Sequence, residues 1–408
     1  MNRKRVLSRN YIVLTLTSAV WNVGFSITET YFSLYVFELG GTESIIGLIV
    51  ALASACYAFS IILGGQISDL YGRRKVLGIM TLTSGVSHLL LAVAPNWISL
   101  ALAVAVVNLC WVSEPAFWAM LADSIEEEHR GVAYSIFSCV NFLPWVIMPY
   151  LGGYLIDIEG VLTAMRWMYI LLATLGVMSG FVRMSMLSET LPPKQSLKKS
   201  SINFKRIFKI INESFRGHVN TWFSMSCPVL ALATTYMIWS FEYGLVEPYW
   251  IVFATEEIGV SSSEWGTLIS AGNVLSLFLK SLIVGKILDK FSRRKVLIVI
   301  LAFDVTTYIL FVLCREFTHL LLIWLYASAI RSFYEATYSA IQADLIQKER
   351  RGRMYAALGV AWSITNIPAS IIGGLVYERI GPKISFILAS AVVFTCLLVT
   401  LKFIHIKR

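Results

Sequence analysis

Eight ionisable side chains interrupt long apolar stretches of this sequence: Glu29, Glu114, Glu242, Glu247, Lys280, Asp304, Arg331 and Glu335. A charge at the centre of a membrane helix costs at least ~2.5 to 3.5 kcal/mol. Each of these groups therefore points to proton binding, solute binding or a neutralising partner. Arg331 and Glu335 are four residues apart on one helix face and either neutralise each other or form a pair that a solute or proton competes for. Glu114 has no arginine in its own stretch and precedes Pro115, which suits a proton-carrying carboxyl. Glu247 precedes Pro248 and reads as a carboxylate on the solute route or as a wet rim residue. Asp304 and His88 read as helix-packing groups, and Arg331 as the only mid-membrane arginine.

Helical spacing sorts the polar residues into stripes. Ser18, Asn22, Ser26 and Glu29 share one face, as do Ser270, Asn273, Ser276 and Lys280, and also Ser328, Arg331, Ser332, Glu335, Ser339 and Gln342. Lipid offers such stripes no hydrogen-bond partner, so they must face water or protein. Asn141 joins the candidate set from a fifth stretch. Catalytic motifs are missing: the sequence holds no GxxxxGK phosphate loop, HExxH metal motif or GxSxG elbow. Its six cysteines are far apart and form no CxxC pair. The reading is of a protein that is not an enzyme and takes no cofactor or metal, with a gradient as its energy source.

The elements that must carry these residues follow from composition. Of 408 residues, 57% are hydrophobic and 14% charged, with a mean hydropathy of +0.70. Soluble domains carry about 25% charged residues, so a soluble enzyme is excluded. Apolar stretches long enough to cross about 30 Å of hydrocarbon occur near 10–36, 45–69, 76–94, 97–122, 131–156, 163–187, 228–254, 262–288, 295–314, 317–343, 353–377 and 384–403. They are too long for barrel strands and lack period-two alternation. The fold class is an all-α membrane protein with twelve transmembrane helices in two six-helix bundles.

The net charge of +9 is concentrated between apolar stretches and argues for an anionic membrane leaflet, not nucleic acid. Only Arg166, Arg315, Arg379 and Lys383 fall in the odd-to-even loops. The positive-inside rule then puts both termini in the cytoplasm. The first apolar run is too long for a signal-peptide core and should remain as a span. The expected layout is an N-terminal bundle over 1–187, a cytoplasmic basic linker over 188–220 and a C-terminal bundle over 221–408. The linker reads either as a tether or as an amphipathic helix near Phe204 to Phe215 lying on the membrane.

The halves repeat. Gly65–Leu77 (GQISDLYGRRKVL) matches Gly285–Leu297 (GKILDKFSRRKVL) at an offset of 220, and Glu114 to Asp123 with Arg130 matches Glu335 to Asp344 with Arg351 at 221. Glu29 and Tyr31 match Glu247 and Tyr249 at 218. The GQISDLYGRRKVL segment, its degenerate copy, the D-x6-RG pairs and the twelve-span layout resemble the major facilitator superfamily of secondary transporters. The resemblance covers nearly the whole chain.

That resemblance implies a mid-membrane site between the halves, worked by alternating access. It implies that the first, fourth, seventh and tenth helices line it, which carry Glu29, Glu114, Glu247 and Glu335. It also implies a cytoplasmic gate at Asp69, Gly72, Arg73 and Arg74, repeated at Asp289, Arg293 and Arg294, where Ser292 replaces the turn glycine. Asp123 with Arg130, and Asp344 with Arg351, are expected to pair on the same face.

Pro149-x-x-Gly152-Gly153 resembles part of the drug and proton antiporter signature. Met148 departs from it, and the fourth helix lacks that branch's arginine. The expected function is proton-coupled efflux of a drug-like amphiphile by a monomer in the plasma membrane, its partners being a small-molecule solute, protons and the bilayer. A proton-coupled importer of an organic anion, met by Lys280 and Arg331, or of a sugar-like solute, and a non-transporting sensor or lipid-handling module stay open.

Overall fold

A computed structural model describes residues 8–191, 204–346 and 351–403. The basic run Lys194 to Lys199 and the Arg351 side chain lie outside the described residues. Long helices account for nearly all of the rest, and eleven are long and apolar enough to cross a membrane. They are Arg9–Thr30, Glu43–Tyr71, Arg73–Ala92, Trp97–Asp123, Glu127–Glu159 and Val161–Met186 in the first half, and Cys227–Ile258, Ser262–Lys290, Arg293–Val312, Ala357–Arg379 and Pro382–Phe403 in the second. Phe317–Leu345 has 29 residues and completes the second half as its fourth helix. It stands outside that apolar set because Arg331, Glu335 and Asp344 interrupt it. The helices are numbered below as spans one to twelve.

Within the first half, span one packs on spans five and six, and span three on span six; in the second half, span seven packs on spans eleven and twelve, and span nine on span twelve. Between the halves, span two packs against span eleven and span five against span eight. The two contacts occupy repeat-related positions, so the duplication seen in the sequence is also present in the packing.

On the face opposite the termini the halves are clamped twice. Asp157, at the end of span five, accepts hydrogen bonds from the backbone N–H groups of Ser262 (3.0 Å) and Ser263 (2.9 Å) at the start of span eight. Glu378, at the end of span eleven, accepts from the Ser44 N–H (2.9 Å) and the Thr42 hydroxyl (2.8 Å) at the start of span two. Each carboxylate satisfies the unpaired N–H groups of a helix start in the other half and sits at the favourable end of its dipole. Next to these contacts, the Tyr31 hydroxyl donates to the carbonyls of Pro149 (2.6 Å) and Ser262 (3.0 Å), and the Tyr249 hydroxyl to that of Glu43 (3.2 Å).

The termini face is open. A cavity of about 790 Å³ is lined there by Asp69, Gln66, Pro115, Met354 and by Glu213, His218 and Thr221 of the helix Phe204–Phe223. That helix, Phe204–Phe223, overlaps the end of the expected linker and packs against spans two and eleven. Phe215, Val219 and Phe223 stay exposed on it. Burial holds the His218 imidazole below the usual histidine range.

The loop-signature residues pair within each half. Arg73 donates to Asp123 (2.5 Å) and lies 3.7 Å from Asp69, while Arg293 pairs with Asp344. The expected Asp123–Arg130 pair does not form: Arg130 sits 3.4 Å from Glu127 instead, because Asp123 ends span four beside the start of span three. Arg74 caps the Met184 carbonyl (2.6 Å) and Arg294 that of Leu401 (2.7 Å). No ion pair reaches Asp289 among the described residues. Gly72 turns with φ +90°, a conformation that favours glycine. Ser292 makes the same corner at φ −59° and ψ 125°, so the two copies use different turns.

Candidate functional site

Four of the charged side chains sit where a helix loses its regular geometry. Span one breaks at Tyr31, two residues after Glu29, before a short helix Phe32–Glu38. Span four tightens into a 3-10 turn over Cys110–Ser113 directly before Glu114 and Pro115. Span seven ends its regular part at Val246, and Glu247–Tyr249 forms a 3-10 turn around Pro248. Span eight widens into a π turn from Lys280 to Val284. Proline removes a backbone donor and crowds the preceding turn, and π turns recur at functional sites. Irregular backbone at membrane depth is tolerated only inside protein or beside a water-filled cavity. The two Glu-Pro pairs were the sequence signal for two of these breaks.

The breaks aim the charges at one another. Arg331 lies 3.6 Å from Glu247 and 3.9 Å from Glu335, and Lys280 Nζ donates to Glu335 Oε2 at 2.7 Å. Spans seven, eight and ten are thereby joined in the order Glu247, Arg331, Glu335, Lys280. The Tyr243 ring lies under the Arg331 guanidinium at 5.3 Å, a cation–π contact. Arg331 and Glu335 side chains are each 41% exposed. Pairs this wet are individually weak, so the row is a set of exchangeable contacts more than a brace.

Glu29 and Glu247 face an interior cavity of about 290 Å³ together with Arg331, Asn273 and Trp145. An adjoining cavity of about 430 Å³ shares Glu29 and Tyr243 and adds Tyr57, His88, Trp111 and Trp362. Glu114 accepts from the Tyr57 hydroxyl (2.7 Å) and from Trp118 Nε1 (3.1 Å). Asn22 donates to Asn141 (3.1 Å), which ties span one to span five. Asn273 donates to the Trp145 carbonyl at 2.7 Å. That carbonyl is free because Pro149, four residues on, has no N–H to offer it.

Two arrangements escape sequence reasoning. Glu242 is 3% exposed and accepts a 2.5 Å hydrogen bond from Tyr308. With Asp304, Arg331 and Tyr334 it lines a void of about 60 Å³. Asp304, expected to serve packing, thus adjoins the charged row from behind. Arg183 is the other: it lies in the last turn of span six, is 8% exposed and bonds Thr17, Ser18 and Thr81. Arg331 is therefore not the only arginine inside the bundle. Arg183 lies five residues before the expected linker, where sequence gives no sign that a cation near the end of a span turns inward. Removing the Tyr308 hydroxyl in Tyr308→Phe should destabilise the protein by about 1 to 3 kcal/mol, the cost of leaving a buried carboxylate without its donor. Thermal unfolding of the purified variant in detergent measures this, and an unchanged midpoint would mean that the bond contributes nothing.

The family model described as Major Facilitator Superfamily matches residues 14–253 and again 230–408. The chain belongs to the Major Facilitator Superfamily. Among curated relatives of this facilitator, the multidrug resistance protein MdtG of Escherichia coli O9:H4 (strain HS) is 25% identical over 73% of this chain and 70% of its own length. The quinolone resistance protein NorA of Staphylococcus aureus (strain COL) is 18% identical over 78% of this chain and 77% of its own. Among solved structures, that of the human organic anion transporter MFSD10 (TETRAN) superposes on the facilitator with a TM-score of 0.70 at 15% identity, covering 96% of this chain and 99% of that one. At that identity the likeness speaks for the fold alone. The chain is thus a membrane-embedded transporter of small molecules and not an enzyme.

Proposed function

We propose that this facilitator is a proton-coupled exporter of small amphiphilic organic solutes, working as a monomer in the plasma membrane with both termini in the cytoplasm. The observation that carries this reading is the row Glu247, Arg331, Glu335, Lys280, drawn from three helices of one half and placed beside Glu29 of the other. A proton arriving on Glu335 or Glu247 removes one partner of Arg331 and lets the guanidinium move to the other. Such a proton changes the relative stability of the two access states only because its carboxylate is paired differently in each. Glu114, held by Tyr57 and Trp118, is the second candidate carrier.

Lys280 and Arg331 already hold carboxylates, which weighs against their serving as open anion sites. The resistance functions in the names of MdtG and NorA favour efflux. The basic loop-signature face, with the linker 188–220 between bundles 1–187 and 221–408, is the cytoplasmic side by the positive-inside rule. The open cavity of about 790 Å³ on that face then represents the inward-facing state.

The experiment is proton flux in proteoliposomes, driven by a fluorescent lipophilic cation and followed with a pH-sensitive dye. Wild type should release protons as the cation moves, and Glu335→Gln and Glu114→Gln should lower that flux by at least about tenfold with unchanged unfolding temperature. Full flux in both variants would remove these carboxylates from coupling. Saturable binding of the cation without any flux in wild type would turn the reading to a sensor.

A further inference from the structure

Arg183 differs from the other arginines inside the bundle by its company. Its Nε donates to the Thr17 hydroxyl at 2.9 Å, one terminal nitrogen to the Thr81 hydroxyl at 2.9 Å and the other to the Ser18 hydroxyl at 3.1 Å. Those contacts engage three of the five N–H groups that a guanidinium carries. The acceptors are neutral, and Thr17 and Thr81 send their own protons to the carbonyls of Val13 and Leu77, both at 2.7 Å. Among the described residues no carboxylate comes within 4.0 Å of Arg183, whereas Arg73, Arg293 and Arg331 each meet at least one. A cation taken this far from water is costly unless a negative charge accompanies it.

The same guanidinium lines a chamber of about 300 Å³ walled by spans one, three, four, five and six. That volume is within the range of small-molecule sites. Its walls are aromatic: Trp111, Phe117 and Trp118 face it, and Phe117 lies 5.3 Å under Arg183. Asn22 and Asn141 supply polar contacts. Glu114 also borders the chamber, with its carboxylate bound by Tyr57 and Trp118. Arg74 and Arg294 cap Met184 and Leu401, an offset of 217 that sets Thr400 opposite Arg183, so the cation is not a shared element of the duplicated fold.

We infer that this chamber is a second solute site, which takes a small aromatic molecule with one carboxylate: the anion binds the Arg183 fork and the ring lies against Phe117 and Trp118. Fork-to-carboxylate contact is the geometry in which arginine recognises an anion most specifically. The site lies within the first half and does not use the row Glu247, Arg331, Glu335, Lys280. The inference rests on the transporter reading only in treating the ligand as a transported solute. Its test is an equilibrium measurement without a gradient, so its failure leaves proton coupling untouched and failure of the flux experiment leaves this site untouched.

The test is isothermal titration calorimetry on the detergent-purified full chain with indole-3-acetate and its neutral analogue indole-3-acetamide. Wild type should bind the acid about tenfold more tightly than the amide, the ratio expected from one charge-assisted contact. Arg183→Gln should bring the two affinities together, and Arg183→Lys, which keeps the charge and loses the fork, should fall between. Equal affinities in wild type would overturn the inference, as would an acid preference that survives in Arg183→Gln. Should Arg183→Gln fail to fold, an acid-to-amide ratio in Arg183→Lys equal to that of wild type would overturn it.

Discussion

Replacing Arg331 by glutamine should abolish coupled transport, with solute flux down by more than about 100-fold. Arg331 is the only member of the charged row that touches two carboxylates, Glu247 at 3.6 Å and Glu335 at 3.9 Å. Two unit charges 4 Å apart interact by about 4 kcal/mol at an effective dielectric of 20. Exposure to the cavity reduces that figure, and about 2.8 kcal/mol over both contacts is enough for a 100-fold change. Without the guanidinium, Glu247 faces Glu29 across the 290 Å³ cavity with no cation of its own, and Glu335 keeps Lys280 alone. The row then loses the member that passes from one carboxylate to the other. Arg331→Lys should recover part of the flux, because it restores the charge but cannot span both acids. Radiolabelled-solute uptake into inverted vesicles measures the effect, and flux within threefold of wild type in Arg331→Gln would remove the arginine from the mechanism.

The second large effect is expected at the clamped face. A Cβ added to Gly153 would fall onto the Ser262 carbonyl and the Tyr31 hydroxyl, and one added to Gly374 onto the Glu43 carbonyl at 2.6 Å and the Tyr249 hydroxyl at 2.8 Å. Backbone oxygens on packed helices cannot retreat cheaply, and overpacking of this kind costs about 1 to 3 kcal/mol at each site. The clash with the other half's carbonyl exists only while the two halves touch, so the double variant Gly153→Val with Gly374→Val should favour the arrangement in which this face is parted. Transport should stop, although both bundles remain folded. A cysteine placed at Ser262, 9% exposed in the closed arrangement, reports the change once the six native cysteines are removed. Its labelling by a membrane-impermeant maleimide should rise by about tenfold or more. An unchanged labelling rate would mean that the glycines are not needed for closure.

The spans and their duplication were legible because the bilayer imposes a length on every helix and the repeat preserved charged signatures at fixed offsets. The Glu-Pro pairs at Glu114 and Glu247 also marked real interruptions of the helices. Partner choice was not legible. Lys280 reads in sequence as a free cation for an organic anion, but in the structure it donates to Glu335, 55 residues on. Asp123 turns to Arg73 and not to Arg130, since pairing between helices depends on how their ends meet in space. Asp157 and Glu378 resemble ordinary loop acids, and only the tertiary structure shows that each caps a helix of the other half. Arg183 was obscured for a different reason: positive charge near the end of a span is normally a matter of topology, and sequence does not reveal that its side chain turns inward.

The two clamps are reciprocal. Tyr31 and Asp157 of the first half grip the start of span eight, and Tyr249 and Glu378 of the second grip the start of span two, at repeat offsets of 218 and 221. That is the contact pattern of an isologous two-fold interface, in which one patch meets its own copy. A free-standing ancestor of six helices carrying one tyrosine, one acid and one glycine at these positions could have sealed itself as a homodimer with no further invention. Fusion of its gene would then have made the association permanent and left each lobe free to diverge, as the unmatched arginine of the first lobe already shows.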